Sequence, residues 1–589
     1  MNLKLIIMML FYFLSMSIYP EELATINNPD ILDANLKDYK EFTIKINEQE
    51  YRVYLMTNND YVHKDGKFTA IHNLDDNLLN KLDEYEYLSY MNDGWNINNV
   101  NEMLNQCDNC KSYYFDKECK KCSSLIVEKY YIQKKYFHIP IDRCEYLMDG
   151  IALKTKIYID NELIMNFDIS TEVYPIFWYP LDLEQSDGQI LTLTIDPGDL
   201  NRRRTNKITN KIKHIFKLQN KPLVDKQIKT IKPLYRHYQH GYCGDLNGLV
   251  YFNEVFHMFY QNDPFMTEGV NMFWGHATSK DLYTWEDKGL ALKPYIDANG
   301  QCFSGSGNVK DGKMFYMFTD TCGGETLAFY DNKKNKIVPD KIILKHTGRD
   351  PKVIKYKDHW VMIVSYIGDI VKEFRFYVSD DLYNWRHTCS ISNMYECPEF
   401  IKFDVKGVEK WVLFEASNKY LIGTFDGEIF TPDSNDKYQS QYGSFNASQC
   451  FTNYRHNVQM GNITFSNSQS YKNTFSTPLL LHLTEVENLY QLSMSFITNL
   501  KPEKIIANGI KQKLWLENGY MIIKGATNCI IHGKMGCHIN DNNFEYNNEE
   551  KKDIEILADK FVYEVLIGDY KYFSAEKCHE YKLSISIDY

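Results

Sequence analysis

Three acidic residues stand in short, turn-forming settings across the middle of this 589-residue chain: Asp245 in GDLNG, Asp350 in GRDPKV and Glu396 in YECPEF. One carboxylate can act as a base or nucleophile while a second carboxyl supplies a proton, a pairing suited to general acid/base chemistry. A third acid in the same place is costly unless it is used, because like charges resist each other's ionisation. More than a hundred residues separate Asp245 from Asp350. Only a fold that returns distant segments to one point would assemble them.

The surrounding sequence has that character. Each acid opens a similar unit: a small polar or acidic turn, a strand, a tight polar connection and an aromatic-rich strand. Tyr235 to Gln261 is the first, with two aromatic and β-branched runs split by Asn253-Glu254. FSGSG followed by NVKDGKMFYMFTD, GRDP followed by KVIKYKDHWVMIVSY, and ECP followed by EFIKFDVKGVEKWVLFEAS repeat the pattern, and YGSFNASQCF with HNVQMGNITF is a fainter fifth copy. TSKDLYTW and VSDDLYNW echo one another within two of the units. A spacing of roughly 45 to 60 residues is that of radial repeats, and five units predict a five-bladed β-propeller with the three acids at one mouth of its channel. Taken singly, an Asp before Asn-Gly is ordinary turn chemistry.

From about Pro233 to Leu483 the chain resembles glycoside hydrolase family 32, the invertases, inulinases and levanases. The stretches that carry the resemblance are GDLNG, FYQNDP, WGHATSKDLYTW, FSGSG, GRDPKV and YECPEF, in the family's order. The resemblance implies retaining cleavage of β-fructofuranosyl linkages, without metal or organic cofactor, on a five-bladed propeller followed by a C-terminal β-sandwich. It implies Asp245 as nucleophile, Glu396 as general acid/base and Asp350 as the group that holds the fructosyl hydroxyls. Asn247, Gln261, Trp274, Phe303, Ser304 and Arg349 match positions that line the fructose pocket. Two departures stand in the nucleophile motif: Gly244 replaces the family's Asn and Leu246 its Pro. The expected substrate is sucrose or a β-fructan. A sugar-binding protein on a decayed hydrolase frame, and a fructosyltransferase, are the competing readings.

Composition agrees with an all-β globular chain, at 44% hydrophobic with 45 Tyr and 33 Phe. A net charge of −12 argues against a nucleic-acid partner. Residues 1–20 read as a secretory signal peptide, since the apolar run LIIMMLFYFLSMSIY falls short of the roughly 20 residues that a span needs. The mature protein is therefore expected in the secretory pathway or outside the cell, with no membrane segment.

Residues 21–200 alternate like strands on either side of a Cys-rich insert, and form an expected N-terminal β-sandwich-like accessory domain with Trp178 and Tyr179 as candidate sugar platforms. Its second half is similar to the accessory domain of some levanases. A basic linker is expected over 201–232, the propeller over 233–475 and the C-terminal sandwich over 476–589. Fourteen cysteines suit an oxidising compartment. Cys107, Cys110, Cys119 and Cys122 fit either two disulfides or a zinc knuckle, with disulfides preferred, and Cys302 and Cys322 bracket one hairpin and could pair. Cys243 and Cys397, each within two residues of a candidate acid, read as buried thiols on the site floor. Asn446 and Asn462 begin glycosylation sequons within strand patterns.

Overall fold

The computed structural model describes strand segments within 40–70, then 126–141, 152–196, 216–221, 236–497 and the strands between 504 and 588, all with short breaks. The expected leader and Cys107, Cys110, Cys119 and Cys122 lie outside the described residues. Among the described residues the chain is all-β, and its single helical element is the short 3-10 turn Glu184–Ser186. No described helix is long and apolar enough to cross a membrane.

Two compact units divide the chain, the first made largely of residues up to Pro222. It holds a four-stranded meander over Lys40–Ala70, a sheet ordered Ile126–Tyr131, Ile190–Asp196, Ala152–Ile159, Glu162–Ser170, and a three-stranded sheet. Alternation produces the buried face: Leu153, Thr155, Ile157 and Ile159 turn inward, as do Leu191, Leu193 and Ile195. Part of the expected linker is a strand, Lys217–Gln219, paired with Tyr136–Ile141. The cause is apolar: Phe216 is buried and stacks on Phe137 at 5.5 Å.

In the second unit five antiparallel sheets follow one another. Sheet I comprises Gly241–Phe252, Val255–Asp263, Phe273–Ser279 and Trp285–Leu292; sheet II Cys302–Lys310, Lys313–Asp320, Gly324–Asp331 and Lys336–Leu344. Sheet III comprises Arg349–Tyr356, His359–Ile367, Lys372–Ser379 and Arg386–Ser392; sheet IV Glu399–Val405, Val408–Phe414, Lys419–Phe425 and Phe430–Pro432. Sheet V comprises Phe445–Cys450, Val458–Ile463, Leu479–Val486 and Leu489–Phe496. The first strand of each sheet touches the first strand of the next, and that of sheet V touches that of sheet I. Five first strands thus close a ring.

Large side chains fill the spaces between successive sheets. Phe259, Trp274, Tyr316 and Phe318 form one such cluster, and Phe376, Phe400 and Trp411 belong to another. Burial of this kind is what makes aromatic-rich strands adhere. The sequence echo is a turn staple: Asp281 Oδ1 accepts from the backbone N–H of Tyr283 and Thr284, and Trp285 Nε1 donates to Leu282 O. Asp381, Leu382 and Trp385 repeat it.

Sheet V runs past the expected boundary at residue 475. Leu479–Val486 and Leu489–Phe496 complete it, because Leu479 and Leu480 pair with Gln459 and Val458 and Leu481 and Leu483 enter the core. Seven strands of the C-terminal region and Gln441–Gly443 make up a single eight-stranded sheet. Arg236 binds it to the start of the ring, with Nη2 2.5 Å from Glu564 Oε2 and Nε 3.5 Å from Asp559 Oδ2, all three side chains buried.

The expected Cys302–Cys322 bridge is not formed. Cys302 is a free thiol facing inward beside Trp274 and Phe318, whereas Cys322 stands on the exposed turn after Asp320. The two sequon asparagines face one another in sheet V, where buried Asn462 donates through Nδ2 to Asn446 Oδ1 at 3.2 Å.

Candidate active site

Regular alternation would send the inner-strand side chains between the sheets. Four of the five first strands break it with a register shift: Cys243 to Gly248 in sheet I, Cys302 to Gly305 in II, Arg349 to Lys352 in III and Asn446 to Gln449 in V. A bulge re-aims a side chain, and Asp245, Ser304 and Asp350 sit within these. Asp350, Glu396 and Cys397 also take left-handed backbone conformations, with φ of 59°, 51° and 43°. Such conformations cost on the order of 1–3 kcal/mol each and persist where the surroundings over-determine them.

The three acids meet. Arg349 joins two of them, with Nε 2.9 Å from Asp350 Oδ2 and Nη1 3.1 Å from Glu396 Oε1. The thiol of Cys397 joins Asp245 to Asp350, with Sγ 3.5 Å and 3.9 Å from the respective Oδ2 atoms. Cys397 N also donates to Asp350 Oδ2 at 3.3 Å, so the floor thiol expected from sequence is a hydrogen-bonding member of the site. Glu396 is anchored from below by its own N–H, which donates to Ser365 Oγ at 3.0 Å.

Asp245 is oriented by a relay. Gln261 Nε2 donates to Ser304 Oγ at 3.2 Å, and Ser304 Oγ donates to Asp245 Oδ2 at 2.8 Å. With Oδ2 engaged by Ser304 and Cys397, Oδ1 is the oxygen left to react. Burial raises the pKa of Asp245, and the bonds from Ser304 and Cys397 and the charge of Arg349 work against that rise. Asp350 is pushed up to about 6 by burial, with Arg349 opposing and Asp245 reinforcing the shift. Its Oδ1 is buried and has no hydrogen-bond partner among the described residues. An acceptor in that state costs energy until a donor arrives.

The expected lining residues divide into two groups. Phe303 is half-buried beside the acids, with the Arg349 guanidinium 4.8 Å from its ring centroid. Gln261, Ser304 and Arg349 act on the acids directly. Trp274 and Asn247 are fully buried. Trp274 packs between sheets I and II and donates to Phe303 O at 3.1 Å. With the Asn247 amide turned so that its oxygen faces the donors, Oδ1 accepts from Gln261 N and Trp274 Nε1, and Nδ2 donates to Ser304 Oγ at 3.3 Å. Both therefore support the pocket wall from behind.

The Gly244 departure has a steric account. A Cβ there would lie 2.7 Å from Gln261 Oε1 and 2.9 Å from the Tyr242 ring. The glycine makes room for the amide that holds Ser304. Leu246 fills the apolar space beneath the turn with Tyr260 and Phe475. Thr319, Glu325 and Ser365 also support the site, and sequence reading passed over them because they lie in the second and third strands of apolar runs. Among the described residues no group of His, Cys, Asp and Glu is arranged to hold a metal ion.

Residues 237–502 match the family described as glycosyl hydrolases family 32 N-terminal domain. An extracellular exo-inulinase of Meyerozyma guilliermondii is 31% identical over 283 residues, 40% of this chain and 54% of that protein. An invertase of Schizosaccharomyces pombe is 29% identical over 299 residues, 43% of this chain and 51% of that protein. The chain spans about half the length of these curated relatives. Among solved structures, a fructofuranosidase from Schwanniomyces occidentalis complexed with fructose superposes with a TM-score of 0.54 at 18% identity, covering 62% of this chain and 96% of that one. At that identity the likeness concerns the fold.

Proposed function

We propose that this chain, whose residues 237–502 match the glycosyl hydrolases family 32 N-terminal domain, is a retaining hydrolase of that family that releases fructose from sucrose or a β-fructan. Its ring of five sheets is read as a five-bladed propeller and its C-terminal sheet as the companion sandwich. The single observation that carries the reading is the convergence of Asp245, Asp350 and Glu396, tied to one another by one arginine and one thiol.

Asp245 Oδ1 attacks the anomeric carbon of the fructosyl unit while Glu396 gives its proton to the departing oxygen. A glycosyl ester on Asp245 results. Glu396, now a carboxylate, takes a proton from water, whose oxygen attacks the same carbon and frees Asp245. Asp350 holds a fructosyl hydroxyl, and Arg349 steadies the carboxylates as charge redistributes. Gln261 and Ser304 keep Asp245 aimed throughout. The intact relay behind Gly244 argues against a decayed, purely binding frame.

An extracellular setting fits both the leading apolar segment and the similarity to an extracellular exo-inulinase. The test is the product profile of the purified protein on sucrose, inulin and levan. Fructose is the expected product, reduced by roughly a thousandfold or more in Asp245→Asn and in Glu396→Gln. Absence of any sugar release by the wild type would defeat the reading, and fructosyl oligosaccharides at high sucrose would replace hydrolysis with transfer.

A further inference from the structure

Behind the pocket lies a carboxyl that the proposed chemistry does not use. Glu325, on Gly324–Asp331 of sheet II, is fully buried. Its Oε2 accepts from Thr319 Oγ1 at 2.9 Å, and Thr319 Oγ1 accepts from the backbone N–H of Asp350, also at 2.9 Å. Thr319 and Glu325 lie opposite one another on neighbouring strands, so sheet II reaches across to hold a residue of sheet III. Glu325 Oε1 has no partner among the described residues.

What the chain of bonds holds is a residue in need of holding. Asp350 has a φ of 59° at a bulge, which a non-glycine residue keeps only under constraint. A hydroxyl that donates to a carboxyl becomes a better acceptor, so the Thr319–Glu325 bond strengthens the grip on the Asp350 N–H. The charged and titratable groups near Glu325 are Asp350, Arg349 and, from sheet III, Tyr377. Burial first, then the charge of Asp350, raises its pKa well above the usual carboxylate range.

We propose that Glu325, acting through Thr319, is a positioning residue that locks the Asp350 turn and so sets how tightly the fructosyl unit is held. The inference rests on Asp350 as the hydroxyl-binding group of the function proposed above. Its test compares Thr319→Val, Glu325→Leu and Glu325→Gln by kinetics on sucrose, by calorimetric binding of fructose and by thermal melting.

Thr319→Val and Glu325→Leu are expected to raise KM and the fructose Kd by about tenfold or more, with kcat changed less. Glu325→Gln, which keeps a neutral acceptor of the same shape, is expected to recover most of that loss. A folded Thr319→Val with wild-type KM and Kd overturns the proposal, as does Glu325→Gln impaired as severely as Glu325→Leu. Should Glu325→Leu fail to fold, the other two variants decide. A wild type that binds fructose without releasing any sugar defeats the hydrolase reading alone, and the Kd series still tests Glu325.

Discussion

Asp350→Asn separates the demands of the site from those of the fold. Burial, with help from Asp245, pushes the Asp350 pKa from 3.8 to about 6. A carboxyl raised in the native state binds its proton more tightly there than in the unfolded chain. Its contribution to stability is therefore complete below pH 3.8 and is lost as the pH rises through about 6. The shift corresponds to roughly 3 kcal/mol, and Asp350 is only 2% exposed, so solvent screening removes little of it.

Asparagine has the shape of the protonated acid and does not ionise. The variant should match the wild type at pH 4 and become progressively more stable than it up to about pH 7, by an amount approaching 3 kcal/mol. Asp245 is raised in the same direction and is coupled to Asp350, so the gap includes the relief that Asp245 gains when its neighbour no longer ionises. Urea titrations followed by tryptophan fluorescence at pH 4, 5, 6, 7 and 8 measure the gap. A gap that stays constant with pH, or closes as pH rises, refutes the argument. Fructose binding should be lost in the same variant, which would show that the acid is retained at the expense of stability.

Ser304→Ala removes the donor 2.8 Å from Asp245 Oδ2. A hydrogen bond to a charged group is worth about 1.5–3 kcal/mol, so kcat on sucrose should fall about ten- to a hundredfold with a smaller change in KM; an unchanged kcat would remove the Gln261–Ser304 relay from the mechanism. Arg236→Met leaves Asp559 and Glu564 buried without their cation, at a cost of roughly 3–5 kcal/mol. Thermal melting should detect the loss as a lowered Tm, and an unaltered Tm would mean that the cluster is not what secures the C-terminal sheet.

The sequence by itself determined the repeating units, the all-β class and the motifs that carry the three acids. Those features are local: a Gly/Asn turn, a two-residue alternation and a motif of five or six residues each leave their mark where they stand. It also placed a buried thiol at Cys397. Tertiary structure decided what depends on partners far along the chain. Trp274 and Asn247 sit in pocket motifs, yet they are covered, because sheet II packs over them. Leu479–Phe496 reads as a crossover until Val458 and Gln459 provide its pairing partner. Cys302 and Cys322 flank one hairpin, but they belong to its inside and its outside. Most of all, no run of residues announces that Thr319 and Glu325 support Asp350, since the bond from the Asp350 N–H to Thr319 crosses from one sheet to the next and exists only once the sheets have packed.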